Sequence, residues 1–265
     1  MPSLRKYVFI LDDPFYLPRV LDKYLREYHD STVGVNVQPT VFAKHSRLQT
    51  ARTLLSLYGP RYFCWKLWRM AAARAASKII NGCLGSYRRC YSVAAVARKY
   101  GVPIDLTNNV NGDAFLGLLR ERNVDLIVSI SGREFYGKRL REQTPRGIIN
   151  CHGALLPKYR GLMPSFWTLA NRETEGGVSV HFVDGKIDNG PIIVQRRYRI
   201  HPSDTLEDIL SRSKDLGAEA VIDAVRLIEE GRVSPIPNPE EAATCYSIPT
   251  KEDVRRFRAS GHRFF

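Results

Sequence analysis

The chain has 265 residues, 44% of them hydrophobic, which suffices for one large domain or a domain with a modest extension and is too apolar for a disordered chain. Its 40 Lys and Arg against 27 Asp and Glu leave a net charge of +13, a surface suited to phosphorylated metabolites, nucleic acid or acidic lipid. No apolar run approaches the roughly 18 residues of a membrane helix. The apolar stretch near the start is cut by Asp12 and Asp13 without a cleavage site, and five cysteines without CxxC or Cys/His ligand spacing predict reduced thiols in a cytoplasm and no metal site.

Tyr7 to Leu11 is a continuous apolar run, as expected of a buried parallel strand. Leu17, Val20, Leu21, Tyr24 and Leu25 then recur at helical spacing, and Thr32 to Val37 forms a second strand candidate. Strand, helix, strand is the opening of an α/β, doubly wound, mostly parallel sheet. Ser92 to Tyr100 predicts a helix closed by Gly101, Val102 to Ile104 a short strand, Ala114 to Asn123 a helix, and Asp125 to Ile130 a buried strand. Gly147 to Asn150, Val178 to Val183 and Pro191 to Tyr198 complete the strand candidates. A long helix begins near Asp204, which together with Glu207 fits a cap followed by a carboxylate three residues on. The segment 40–89 interrupts the alternation: it is rich in Lys and Arg, holds two of the three tryptophans, and places Trp65, Trp68 and Ala72 on one helical face. Residues 233–265 form a short C-terminal extension.

Asn150 to Gly161 reads N-C-H-G-A-L-L-P-K-Y-R-G, and Val183 to Ile193 reads V-D-G-K-I-D-N-G-P-I-I. Asn150 and His152 end a strand, where α/β sites form, and period-two alternation points both side chains to one face. Cys151 between them faces the other way and reads as a packing thiol. Asn150 can donate an amide N–H to a developing oxyanion, His152 can donate and carry a proton, and Asp188 can hold the ring or a bridging water. Asp184 suits a turn as well as a catalytic role, His181 reads as a strand residue, and His201 as a surface loop residue.

These two coupled segments resemble the 10-formyltetrahydrofolate-dependent formyltransferases, which include methionyl-tRNA, glycinamide ribonucleotide and sugar N-formyltransferases. The resemblance implies a Rossmann-like formyltransferase catalytic domain over residues 1–232 and assigns Asn150, His152 and Asp188 as the catalytic set. It implies pterin recognition, largely through backbone, by Ser129, Ile130, Ser131, Gly132, Arg133 and Phe135 and by Asp184, Gly185, Lys186 and Ile187. Lys158, Tyr159, Arg160 and Gly161 form the loop expected beside the acceptor. Ala154 stands where the family usually has serine. The implied co-substrate is 10-formyltetrahydrofolate, with no metal.

A C-terminal β-barrel like that of the tRNA enzyme is not expected in 233–265. The Arg160-Gly161 pair resembles the tRNA and sugar enzymes more than the glycinamide ribonucleotide ones. The expected acceptor is a small anionic amine, a nucleotide-linked amino sugar before N-hydroxyornithine or methionyl-tRNA, and nucleic acid is not the expected partner. A formyltetrahydrofolate hydrolase, whose relatives carry an additional N-terminal domain, and a noncatalytic nucleotide-binding module are the readings from other classes. For 40–89 the plainest expectation is a helix pair packed on the core. Its other roles are an acceptor wall, a homodimer interface or, least favoured, a basic helix on a membrane surface.

Overall fold

The computed structural model describes residues 3–39, 46–83, 92–107, 109–132 and 135–265. In chain order the elements are β1 (Lys6–Leu11), α1 (Leu17–Tyr28), β2 (Thr32–Gln38), α2 (Arg47–Tyr58), α3 (Pro60–Ser77, running on as a π turn over Lys78–Cys83), α4 (Val93–Lys99), β3 (Ile104–Asp105) and α5 (Asp113–Glu121). There follow β4 (Leu126–Ile130), α6 (Lys138–Gln143), β5 (Ile148–His152), β6 (Arg160–Gly161), α7 (Pro164–Ala170), β7 (Glu175–Phe182), β8 (Ile192–Arg199), α8 (Leu206–Glu229), β9 (Cys245–Tyr246) and α9 (Lys251–Ala259).

Seven strands form one sheet in the order β3-β2-β1-β4-β5-β7-β8. The first five are parallel, while β7 and β8 run antiparallel to their neighbours. The continuous apolar runs are explained by burial on both faces. Along β1, Val8 and Ile10 enter the core shared with α1, α4 and α8, whereas Tyr7 and Phe9 pack with Phe115, Leu116 and Leu119 of α5 and Leu140 of α6. A third apolar cluster lies around α7, where Phe166 and Trp167 meet Leu57, Tyr62, Val254, Phe257 and Phe264. Both the insertion and the C-terminal extension are therefore packed on the α/β body, the latter also through β9 pairing with β6.

Two local expectations are corrected. The long helix is capped by Thr205, whose hydroxyl accepts from the Asp208 N–H while the Asp208 carboxylate accepts from the Thr205 N–H. Asp204 pairs instead with Arg212 at 2.8 Å, and Glu207 turns toward α3. A hydroxyl and a carboxylate three residues apart satisfy two helix-end donors reciprocally, while Asp204 and Glu207, one residue earlier, are claimed by Arg212 and by Lys66. Trp65 and Trp68 also part company: Trp65 stacks on Phe265, with ring centroids 5.2 Å apart, while Trp68 is 69% exposed. No helix among the described residues is long and apolar enough to cross a membrane.

Candidate active site

The site begins with the pleat of β5. Ile149 and Cys151 face the core under α8, so Ile148, Asn150 and His152 face the other side. Cys151 Sγ lies against Gly217 of α8, and burial pushes the thiol pKa up to about 11, an inert packing thiol. The neighbour β7 is antiparallel and sets His181 directly opposite Asn150. The loop that follows returns along β5, because β7 ends with Phe182 opposite Ile149 while Asp188 meets Asn150 and His152.

Asn150, His152 and Asp188 are brought together. Asn150 Nδ2 lies 3.3 Å from Asp188 Oδ1, and His152 Nδ1 lies 3.3 Å from Asp188 Oδ2. Asn150 Oδ1 accepts from Ser129 Oγ at 2.9 Å, and Ser129 Oγ accepts from the Tyr136 hydroxyl at 2.8 Å. That chain fixes the amide orientation, leaving Nδ2 as the donor aimed at Asp188. Asp188 adopts φ +45°, and its Oδ2 accepts from the Gly161 N–H at 2.9 Å. Asn238 fastens the same loop by donating to the carbonyls of Asp188 and Gly190.

His181 joins this cluster, although its place in a strand gave no reason to expect it. Its Nε2 is 3.3 Å from Asn150 Nδ2 and 3.4 Å from Asp188 Oδ1, and its Nδ1 is 2.8 Å from the Phe182 carbonyl. If Nδ1–H donates to that carbonyl, the Nε2 lone pair can accept from the Asn150 amide.

Burial is the largest influence on His152 and holds its pKa below the ordinary histidine value, with the Asp188 carboxylate and the Tyr159 carbonyl acting the other way. Burial alone would raise Asp188, yet the His152 and His181 rings and the Gly161 N–H outweigh it and hold the carboxyl well below the usual carboxylate range. These directions compete for one proton, since His152 favours the Asp188 charge most when it is itself charged. Geometry decides between them. His152 Nε2, 2.8 Å from the Tyr159 carbonyl oxygen, must donate, so a neutral ring would turn the Nδ1 lone pair on the carboxylate. Asp188, held also by the Gly161 N–H, is the fixed anion, and His152 Nδ1 is where the proton is gained and lost.

The flanking stretches differ in what they expose. Ser129 and Ile130 are buried in β4; Ser131, at φ +58°, accepts from Lys214. A Cβ on Gly132 would sit 2.3 Å from the Tyr136 hydroxyl and 2.4 Å from Ser129 Oγ, so a larger residue there would displace the two hydroxyls that orient Asn150. Phe135 is 60% and Ile187 58% exposed, while Arg133 lies outside the described residues. Asp184 serves its turn, accepting from the Lys186 N–H and from Asn189 Nδ2; Lys186 pairs with Glu240, and Gly185 lies over Arg141. Arg160 is buried and spends its guanidinium on Asn189 and Asn238. Lys158 and the Tyr159 hydroxyl both meet Glu173, and Gly161, at φ +91°, supplies the N–H that holds Asp188. Within this loop, then, Arg160 and Gly161 brace the Asp188 turn, and Lys158 is left at the surface.

In this mostly parallel sheet the carboxyl end of β5, where α/β proteins bind their ligands, carries an amide and an imidazole and is met by a carboxylate from the β7–β8 loop. A family profile described as formyl transferase matches residues 84–225, and the chain belongs to that family. It is 37% identical over 161 residues to the methionyl-tRNA formyltransferase of Anaeromyxobacter sp. (strain K), covering 61% of this chain and 52% of that protein. The corresponding enzyme of Kosmotoga olearia is 34% identical over 166 residues, with 61% and 52% covered. The chain thus spans about half the length of these relatives. Among solved structures, glycinamide ribonucleotide transformylase 1 from Symbiobacterium toebii superposes with a TM-score of 0.59 at 20% identity, covering 89% of this chain and 92% of that one. The N-formyltransferase from Helicobacter canadensis, solved with folinic acid and dTDP-3-aminofucose, gives 0.60 at 15% identity, covering 97% and 80%. At these identities the superpositions establish the shared fold.

Proposed function

We propose that the chain transfers a formyl group from 10-formyltetrahydrofolate to a primary amine, with Asn150, His152 and Asp188 as the catalytic set. The observation that carries this reading is the convergence of an amide donor, an imidazole and a carboxylate at the end of β5, with contacts of 3.3 Å to both Asp188 oxygens. The folate supplies an N-formyl group on a nitrogen that can leave. As the acceptor amine attacks the formyl carbon, negative charge gathers on the formyl oxygen, and Asn150 Nδ2 supplies an N–H to it. The contacts of that amide to Asp188 and His181 are long for hydrogen bonds, so exchanging one for an oxyanion costs little. His152 carries the proton that the amine loses and the departing folate nitrogen gains, while Asp188 balances the imidazolium in between. The exposed apolar side chains of Phe135 and Ile187, in the two stretches assigned to the pterin, suit a flat ring that is otherwise held by backbone. The folate fits these residues better than it would a closed, wholly polar turn.

A nucleotide-linked amino sugar is our preferred acceptor, supported by the resemblance of the Arg160-Gly161 pair to the sugar enzymes. Methionyl-tRNA is the second reading, favoured by the 37% identity to enzymes of that name. Specificity constants for amino-sugar nucleotides, N-hydroxyornithine and methionyl-tRNA, measured with 10-formyltetrahydrofolate over a salt series, separate them. A sugar nucleotide offers few phosphates and should show a shallow salt slope, whereas a tRNA should show a steep one. If methionyl-tRNA has the highest specificity constant, the first reading is lost.

A further inference from the structure

The net charge is not spread over the chain. Residues 31–104 contain twelve of the 40 Lys and Arg and none of the 27 Asp and Glu, leaving the rest of the chain near neutral, 28 cations against 27 carboxylates. Helix α3 lies in the middle of this acid-free span. Its inward side is fully occupied. Tyr62 is buried with its hydroxyl on Glu207, Lys66 Nζ is 2.7 Å from Glu207 Oε1, and Arg69 reaches the same carboxylate at 3.7 Å. Trp65 stacks on Phe265. These contacts dock the helix onto the start of α8.

The opposite side is built differently. Cys64, Trp68, Ala71 and Ala75 follow helical spacing with Leu67 beside them, and all five are exposed. Leu67 is 44% and Trp68 69% exposed, and Ile79 in the π turn beyond is 56% exposed. The charged residues bordering this stripe are Arg61, Arg74 and Lys78, all exposed. A helix that already has one buried face and carries a second apolar one has a second partner to meet.

We propose that the outer face of α3 seats on an anionic lipid bilayer. Trp68 and Leu67 enter the interfacial layer, and Arg61, Arg74 and Lys78 meet lipid phosphates. An apolar stripe with a tryptophan, bordered by cations, is the composition of a helix lying in a membrane interface. A second copy of this chain fits the face poorly, because a two-fold contact would set cation against cation with no acid in the span to balance them. A nucleic acid would use the cations but gain nothing from Leu67, Ala71, Ala75 and Ile79.

The test is co-sedimentation of the full chain with vesicles of phosphatidylcholine alone and with phosphatidylserine added, at two salt concentrations. Trp68 emission, with brominated lipid as quencher, reports depth. Binding is expected to the phosphatidylserine vesicles only and to weaken as salt rises. It should fall by roughly fivefold for each cation removed by Arg61→Ser, Arg74→Ser and Lys78→Ser. Trp68→Ser should reduce it further and abolish the quenching. All four positions are exposed, so thermal melts of the variants should match the parent and exclude misfolding as the cause. Absence of binding to phosphatidylserine vesicles would overturn the proposal, as would binding indifferent to Trp68→Ser. So would tight duplex RNA binding with no vesicle binding, or a dimer in sedimentation equilibrium that Trp68→Ser dissociates.

Discussion

Asp188→Asn keeps the shape of the side chain and removes only its charge, so it isolates what the carboxylate does for His152. At the 3.3 Å separating His152 Nδ1 from Asp188 Oδ2, the attraction between an imidazolium and a carboxylate is about 5 kcal/mol at an effective dielectric of ~20. His152 is already depressed by burial, and Asp188 is the first of the influences that oppose it. Removing that charge must lower the His152 midpoint further, so the ring takes up a proton less readily still. We expect a lower midpoint, read by NMR titration of the His152 ring, and a loss in turnover on the order of a hundredfold or more as proton carriage fails. An unchanged or raised midpoint, or turnover within about threefold of the parent, would refute the pairing of His152 with Asp188 as the working unit.

Asn150→Ala and His152→Ala should each lower turnover by about a hundredfold or more while circular dichroism stays native; near-parental turnover in either would remove that residue from the mechanism. Asp188, with its folded pKa held below its unfolded value, adds stability above pH ~4 that is lost as pH falls through the folded value. Acid unfolding of Asp188→Asn should therefore be shallower below pH ~4, and a slope as steep as the parent's would contradict the depressed carboxyl. Gly190→Ala would place a Cβ 1.9 Å from the Phe182 carbonyl oxygen, a backbone atom that cannot swing aside. A thermal melt should show a loss of ~2–3 kcal/mol, and an unchanged melt would mean that the loop relaxes freely. Iodoacetamide at neutral pH should modify the exposed Cys64 and Cys245 well before Cys151, whose thiol burial pushes up to about 11; equal rates by mass spectrometry would disprove the burial.

The strand part of this candidate site was legible from residues alone because it rests on short-range rules, whereas Asp188, 38 residues beyond Asn150, was placed with it by the family resemblance. The apolar run of β4 and the alternation of Asn150, Cys151 and His152 need only the period of a strand. His181 was not legible as a site residue. Its place opposite Asn150 depends on β7 being the antiparallel neighbour of β5 in one particular register, a long-range pairing with no local signal. Arg160 looked like a residue free to meet substrate, and its burial against Asn189 and Asn238 depends on the C-terminal extension folding back. The same holds for α3, whose tryptophans share a helical face in projection. Phe265, at the far end of the chain, decides which of the two is covered. The long-helix cap was misplaced by one residue because Asp204 and Thr205 are both good caps, and Arg212 claims Asp204.

We have proposed that a formyl group passes from folate to an amine through the Asn150, His152 and Asp188 cluster. The most direct test is a single-turnover measurement with formyl-labelled 10-formyltetrahydrofolate and a panel of amines, comparing the parent chain with His152→Ala. Label is expected on an amine in stoichiometric amount with the parent, while His152→Ala should bind the folate but transfer at least about a hundredfold more slowly. Label released only as formate, or transferred by His152→Ala at the parental rate, would contradict the proposal.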